Sequence, residues 1–599
     1  MSGIAGTLHF GRNYLDCEAE ALLTVCRMRN ALLNRGPDSR GAWVGEHAAF
    51  GHARLAAADP ERQPMLRAAD GGEYAIVCDG RLCNADELRR ELAGRGWRFE
   101  TGCDAEIVLA SYIIYGEDCA EHLDGAFAFA VWDGPRSRAF LCRDRLGVRP
   151  LFWAERGGGV LFASEIKGLL AHPSVRPRVG REGLAEVLSA GPARAPGFGV
   201  FEGVSELKPG ECVTVSREGV EKRRYWKLQS RLHAEGFEDT ARHVRELLSG
   251  AVRRRLIGGA PPCALLSGGL GAPLVAAHAA RAAGEAGARL PTCSFECDDG
   301  ERFFRASALR PDVDQVYARM VGRLWDTAHE ALACESRELA DALYDATRAR
   351  DLPGMADADA SLLLLCRRVR GRHSAALSGA CAGEVFGERP WRTDPDARLG
   401  ALEPGLVRDL QLEEFARARA EALRREAPPL DGEAPEEARR RETGYWSIFG
   451  PMQAQLERTD RMSMAAGLEV RMPFADAKLV EYVFNVPWEM KSHGGEAGGL
   501  LRAAAAGDLP EEVLGRRGSP RPDAHSPLYE EIVKQRVGRM LDDPGAPARD
   551  LLNLARVRAG VEGTAECAGP RLGRRVAGEQ LAWILQLNAW LEEYRVELA

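Results

Sequence analysis

The sequence predicts a chain in two parts: an α+β half, then an α/β half built on a parallel sheet. Two observations carry that prediction. In the first half, residues such as Gly125-Ala126-Phe127-Ala128-Phe129-Ala130-Val131-Trp132-Asp133 alternate as a strand does. In the second half, apolar Ala264-Leu265-Leu266 runs into a Ser267-Gly268-Gly269 turn, and an Ala-rich helix follows over residues 274–283. Ala375-Ala376-Leu377-Ser378-Gly379 leads into the same strand, turn and helix sequence further on. A glycine turn that opens a helix presents backbone N–H groups, which suits a phosphate.

The bulk properties bound the classes of function. A chain of 599 residues is long enough for two or more domains with sizeable cores. Hydrophobic content of 45% and charged content of 28% describe an ordinary globular protein. A net charge of -8 offers no basic face for nucleic acid. No apolar run is long enough to span a bilayer, and no basic-then-apolar leader opens the chain, so a cytoplasmic protein is expected. The 15 cysteines are odd in number and scattered, and Cys293 and Cys297 come nearest to a Cys-x-x-Cys pair. That pattern predicts reduced, mostly buried thiols and no zinc.

In the first half, Met1 precedes a small residue, so its removal would leave Ser2 as the terminal residue. A terminal hydroxyl residue with its own α-amine as base, pKa about 7.7–8.0, is the arrangement of an N-terminal nucleophile hydrolase. The blocks Arg35-Gly36-Pro37-Asp38, Phe50-Gly51-His52-Ala53-Arg54-Leu55, Asp79-Gly80-Arg81 and Gly102-Cys103-Asp104-Ala105-Glu106 follow in order, and Arg143-Asp144-Arg145-Leu146-Gly147 and Ala163-Ser164-Glu165-Ile166-Lys167 come after them. In order and spacing they resemble the class II glutaminase domain of glutamine-hydrolysing asparagine synthetases. The resemblance implies an N-terminal nucleophile hydrolase αββα sandwich over residues 2–205. It also implies that Arg54 holds the carboxylate of glutamine and Asp104 its α-amine.

The chain departs from that family at the reaction centre. The family nucleophile is Cys, intrinsically reactive and partly ionised near neutrality, whereas the hydroxyl of Ser2 depends wholly on its base. The family's Asn-Gly-Glu block, an oxyanion donor and an acid for the α-amine, reads Asp79-Gly80-Arg81. A carboxylate aimed at an oxyanion repels it, and one lost donor costs ~10²–10³ in rate. Impaired glutamine hydrolysis is expected.

Alternating strands over residues 201–228 end the first half, and polar residues 229–239 read as a linker within a crossover of 206–239. Residues 240–529 resemble the synthetase domain of the same family, an adenine-nucleotide α-hydrolase-like fold. Their Ser-Gly-Gly turn resembles the pyrophosphate loop of ATP pyrophosphatases, usually Ser-Gly-Gly-Leu-Asp-Ser-Ser. Arg350-Asp351-Leu352-Pro353 precedes a helix expected over 361–369, and residues 460–474 form the most family-like block. Residues 530–599 read as a helical extension without a motif.

The resemblance implies ATP and magnesium, and the residues that would hold them are largely missing. The magnesium Asp of the loop is Gly271, and the two hydroxyls after it are Ala272 and Pro273. In the family's Ser-Gly-Glu-x-Ala-Asp-Glu turn the first acid is Ala380 and the metal ligand is Gly383, which leaves Glu384. Two lysines are replaced by Gly498 and Gly518, beside the retained Arg502 and Arg517. Ser267, Gly268, Gly269, Ser378, Gly379 and Glu384 remain as a nucleotide-binding remnant. Removing two metal carboxylates should abolish magnesium-dependent adenylation.

The reading is a family member with an inactive or altered amide-forming site, acting as a pseudoenzyme or in a specialised biosynthetic pathway. It binds small molecules, glutamine-like and ATP-like, and pairs with itself or with an active paralogue. Two alternatives stand beside it: a working ATP-dependent amidotransferase, and an acyl-transfer enzyme that uses Ser2.

Overall fold

The computed structural model describes residues 2–55, 62–190, 194–258, 261–298, 302–304, 313–387, 401–516, 526–563 and 573–599. The chain forms two compact units, Met1–Arg178 with Pro196–Leu228, and Val179–Ala195 with Gln229–Ala599.

Two six-stranded antiparallel sheets build the first unit. One runs in the order Val204–Glu206, Phe152–Arg156, Gly159–Ala163, Ser2–Leu8, Ala48–Arg54, Ser39–Val44. The other runs Gly219–Arg224, Glu211–Ser216, Arg138–Arg143, Gly125–Asp133, Gly72–Leu82, Met65–Ala69. The strand Gly125–Asp133 shows how the sequence encodes the layers. Its even positions, Ala128, Ala130 and Trp132, join Ile4, Phe50 and Phe162 in the core between the sheets. Its odd positions, Phe127, Phe129 and Val131, face the other way, against Leu88 and Val108 of the helices Ala85–Gly94 and Asp104–Tyr115. Strand periodicity thus sends alternate side chains to the sheet–sheet interface and the others under the helices. Helix Glu18–Asn30 covers the opposite sheet through Ala21 and Val25 on Ala49. The result is the expected αββα sandwich.

The second unit holds a parallel sheet in the order Ala328–Cys334, Pro291–Cys297, Cys263–Leu265, Ala375–Leu377, Glu469–Arg471. The chain builds outward to one side of Cys263–Leu265 and later resumes on the other side. That reversal of strand order leaves a crevice at the carboxyl ends of the two central strands. The Ser267 and Ser378 turns follow those ends.

Some elements start earlier than the sequence suggests. The helix expected from 361 begins at Asp357 and runs to Arg370. Asp357 and Asp359 of its first turn are buried, and Asp359 accepts from Met355 N–H at 2.8 Å and from Arg458 Nε at 2.9 Å. The linker is shorter than 229–239, because helix Phe237–Leu256 takes its last residues. Helices Pro527–Asp542 and Gly573–Glu593 pack on Ser336–Arg350 and bury Trp583 and Trp590. Gln586 Oε1 accepts from Gly354 and Ala356 N–H, both at 3.1 Å, so the extension is part of the unit's core. No helix among the described residues is long and apolar enough to cross a membrane.

Candidate active site

Ser2 opens the strand Ser2–Leu8, which sits between Ala48–Arg54 and Gly159–Ala163. The antiparallel register places Ser2 directly opposite Arg54. From the other sheet Asp79 reaches back, and its Oδ1 accepts from Ser2 N–H at 2.8 Å. The other oxygen of Asp79 accepts from Arg35 Nη2 at 2.8 Å. Arg35 also donates through Nε to the Ser2 carbonyl at 3.0 Å and pairs through Nη1 with Glu165 Oε1 at 2.9 Å. Lys167 Nζ holds the second Glu165 oxygen at 2.6 Å. Arg35 and Asp79 have side-chain exposures of 1% and 0%, so this is a dry ion cluster wrapped around Ser2.

The structure brings Ser2, Arg54 and Asp79 together. Arg35, Glu165 and Lys167 complete the group; the Arg35 and Ser164-Glu165 blocks signalled their presence without a role. Gly80 fits only as glycine, since a Cβ there would collide with Ala126 O and Phe127 Cα of the neighbouring strand. Asp104 opens helix Asp104–Tyr115 and accepts from Leu82 N–H at 2.9 Å. Burial raises its pKa, opposed by that hydrogen bond and by Arg81. His52, on the strand that carries Arg54, is fully buried, and its pKa falls to about 3, through burial first with Arg54 adding. It stays neutral at physiological pH.

In the second unit the two glycine turns meet. Ser267 Oγ accepts from Gly269 N–H at 3.5 Å, and Ser378 Oγ accepts from Ala380 N–H at 3.2 Å. A Cβ built on Gly271 would lie 2.7 Å from Ala382 Cβ and 2.8 Å from the Gly379 carbonyl oxygen. A Cβ on Gly379 would in turn collide with the backbone of Ala272. The turns therefore pack backbone against backbone where the resemblance places a magnesium carboxylate. Over Gly268 lies the guanidinium of Arg516, in the path of any Cβ there. Arg516 is buried, pairs with Asp314 Oδ1 at 2.6 Å and sits 4.3 Å from the Tyr317 ring centre. Arg502 donates to the carbonyls of Leu514 and Arg516, the latter at 3.0 Å, and so fixes the segment that carries this cation.

Gly498 has φ +74°, a left-handed position that favours glycine, at the start of helix Gly499–Ala505. Gly383 and Glu384 lie on the short helix Ala382–Phe386, and the Glu384 carbonyl accepts from Ser447 Oγ at 2.8 Å. Arg517 and Gly518 lie outside the described residues. These side chains do not fit a magnesium ion bridging phosphates: the loop position has neither a carboxylate nor room for one.

Fold and sites together define a class: an amino-terminal glutaminase-type sandwich joined to a pyrophosphatase-type parallel-sheet unit. The profile of the Glutamine amidotransferase domain matches residues 1–226, and that of Asparagine synthase matches residues 243–592. The chain is 39% identical over 619 residues to asparagine synthetase [glutamine-hydrolyzing] 3 of Bacillus subtilis (strain 168), covering all of both chains. It is 26% identical over 571 residues to asparagine synthetase [glutamine-hydrolyzing] 1 of the same organism, covering 88% of each. A probable asparagine synthetase [glutamine-hydrolyzing] of Schizosaccharomyces pombe is 25% identical over 513 residues, 82% of this chain and 77% of that one. The chain belongs to the asparagine synthetase family.

Proposed function

We propose that this member of the asparagine synthetase family has lost magnesium-dependent adenylation and works as a non-synthesising homologue, a pseudoenzyme or a component of a specialised pathway. The closed packing of Gly271 on Gly379 and Ala382 carries the reading. Adenylation needs a metal to bridge phosphates and neutralise developing charge. Here the loop has no acid at Gly271, and Arg516, locked to Asp314, lies over Gly268 of the turn. In the first unit, Arg54 and Asp104 hold a glutamine-like ligand beside Ser2, with Asp79 and Gly80 lining the reacting end. Asp79 Oδ1 accepts from the Ser2 nitrogen at 2.8 Å, the nitrogen that removal of Met1 would leave as the amine. We place the protein in the cytoplasm, paired with itself or with an active paralogue.

The test is direct. Purified protein is incubated with ATP, magnesium, aspartate and either glutamine or ammonia, and AMP and asparagine are followed. No AMP above background is expected. Release at about 1 s⁻¹ or faster, an ordinary enzyme rate, would overturn the reading.

A further inference from the structure

We propose that Cys263, Cys293 and His373 form a zinc-binding site on one face of the parallel sheet, separate from the glycine turns. Their ligand atoms, two Sγ and one ring nitrogen, all lie within 4.8 Å of one another. Three different elements deliver them. Cys263 begins the central strand Cys263–Leu265, and Cys293 lies on its parallel neighbour Pro291–Cys297, where it pairs with Leu265. His373 arrives from the turn that ends helix Asp357–Arg370, with its N–H on Val369 O at 2.8 Å. The residues are far apart in sequence, which is why spacing alone predicts no zinc.

The donor chemistry selects the ion. Thiolate and imidazole suit zinc or copper(I), and a carboxylate-loving ion such as magnesium finds nothing here. Bond lengths of about 2.0–2.3 Å put tetrahedral donors about 3.3–3.8 Å apart, so a modest side-chain rotation from the present spread closes the set. Burial decides between the two metals. Both cysteines are buried in an apolar cluster with Leu265, Leu332, Val369 and Leu468. Two thiolates and a neutral imidazole carry two negative charges, so a divalent ion leaves the site neutral and a monovalent one does not. An uncompensated charge in such surroundings is costly. His373 is the half-exposed member and gives the ion a way in. The two sulfurs lie within 4.8 Å of each other. Binding exchanges their protons for the cation, so affinity should rise with pH.

The experiment uses the untagged full chain, exposed to zinc, desalted and analysed for metal. About one zinc per chain is expected, and cobalt(II) should replace it with a thiolate-to-metal absorption band in the near ultraviolet. Cys263→Ser/Cys293→Ser should abolish both signals. Should that buried pair of substitutions compromise folding, His373→Ala, at the half-exposed edge, should keep the thermal transition and raise the zinc dissociation constant at least ~100-fold, beyond the ~10–100-fold that loss of an outer partner costs. Three outcomes would overturn the proposal: wild-type protein that retains no zinc, cobalt that gives no thiolate band, or peptide mapping that finds Cys263 and Cys293 joined as a disulfide.

Discussion

Restoring the family's acid, Gly271→Asp, should not restore a metal site; it should destabilise the loop. The backbone of Gly271 already opens a helix in an ordinary conformation, so the cost is packing. The new Cβ arrives 2.7 Å from Ala382 Cβ and 2.8 Å from Gly379 O, closer than van der Waals contact. Overpacking of this kind costs about 1–3 kcal/mol. An acid in the first turn of helix Gly271–Glu285 regains only about 0.3–1 kcal/mol from the helix dipole, so packing wins. A net loss of about 1–2 kcal/mol lowers the melting temperature of the second unit by a few degrees. Adding Ala382→Gly removes the nearest methyl and should recover at least ~0.5 kcal/mol beyond additivity. Calorimetry with and without magnesium reads both effects, and AMP release reads function. If Gly271→Asp alone melts at or above the wild type, gains stability with magnesium and releases AMP, the closed packing is wrong.

Three further outcomes test the first unit. Arg35→Ala leaves Asp79 and Glu165 buried without their shared cation; breaking such a cluster costs about 3–5 kcal/mol, and at about 2–4 °C per kcal/mol its melting transition should fall by about 6–20 °C. An unchanged transition would remove the ion cluster from the account. Ser2→Cys with Asp79→Asn supplies the family's nucleophile and oxyanion donor together, and glutamate release from glutamine should exceed that of Ser2→Cys alone by ~10²–10³; equal rates would mean that Asp79 does not face the oxyanion. His52 falls from an ordinary 6.5 to about 3 on folding. Between those values the unfolded chain takes up a proton that the folded chain refuses, so stability is full above pH 6.5 and falls toward pH 3, by on the order of 5 kcal/mol. His52→Gln should flatten that acid limb of melting temperature against pH, and an unaltered slope would assign the loss to other groups.

Local pattern carried most of the architecture. The alternation in Gly125–Asp133 and the strand, turn and helix around Ser267 depend on neighbours in sequence, and both elements form as their periodicity demands. What sequence does not reveal is convergence. Arg35 reads as part of a turn block, and only the fold shows one guanidinium spanning Ser2, Asp79 and Glu165. Arg516 is equally silent, since nothing near it in the chain announces that its side chain lies on Gly268. Asp359 shows the same convergence: Arg350 and Arg458 hold it inside the unit.

The uncharged residues of the two turns and the closeness of their backbones are physically linked. Two carboxylates facing each other about 4 Å apart at an effective dielectric constant near 20 repel by about 4 kcal/mol, so without a metal they hold their backbones apart. Positions 271, 380 and 383 hold glycine and alanine, so no such repulsion acts between the turns, and a Cβ on Gly271 would lie 2.7 Å from Ala382 Cβ. A single restored acid meets a steric wall and has no partner to share a cation. Two restored acids meet the wall and each other. On the proposed reading, a magnesium site at this loop would require changes in both turns together, residues 267–273 with 378–384.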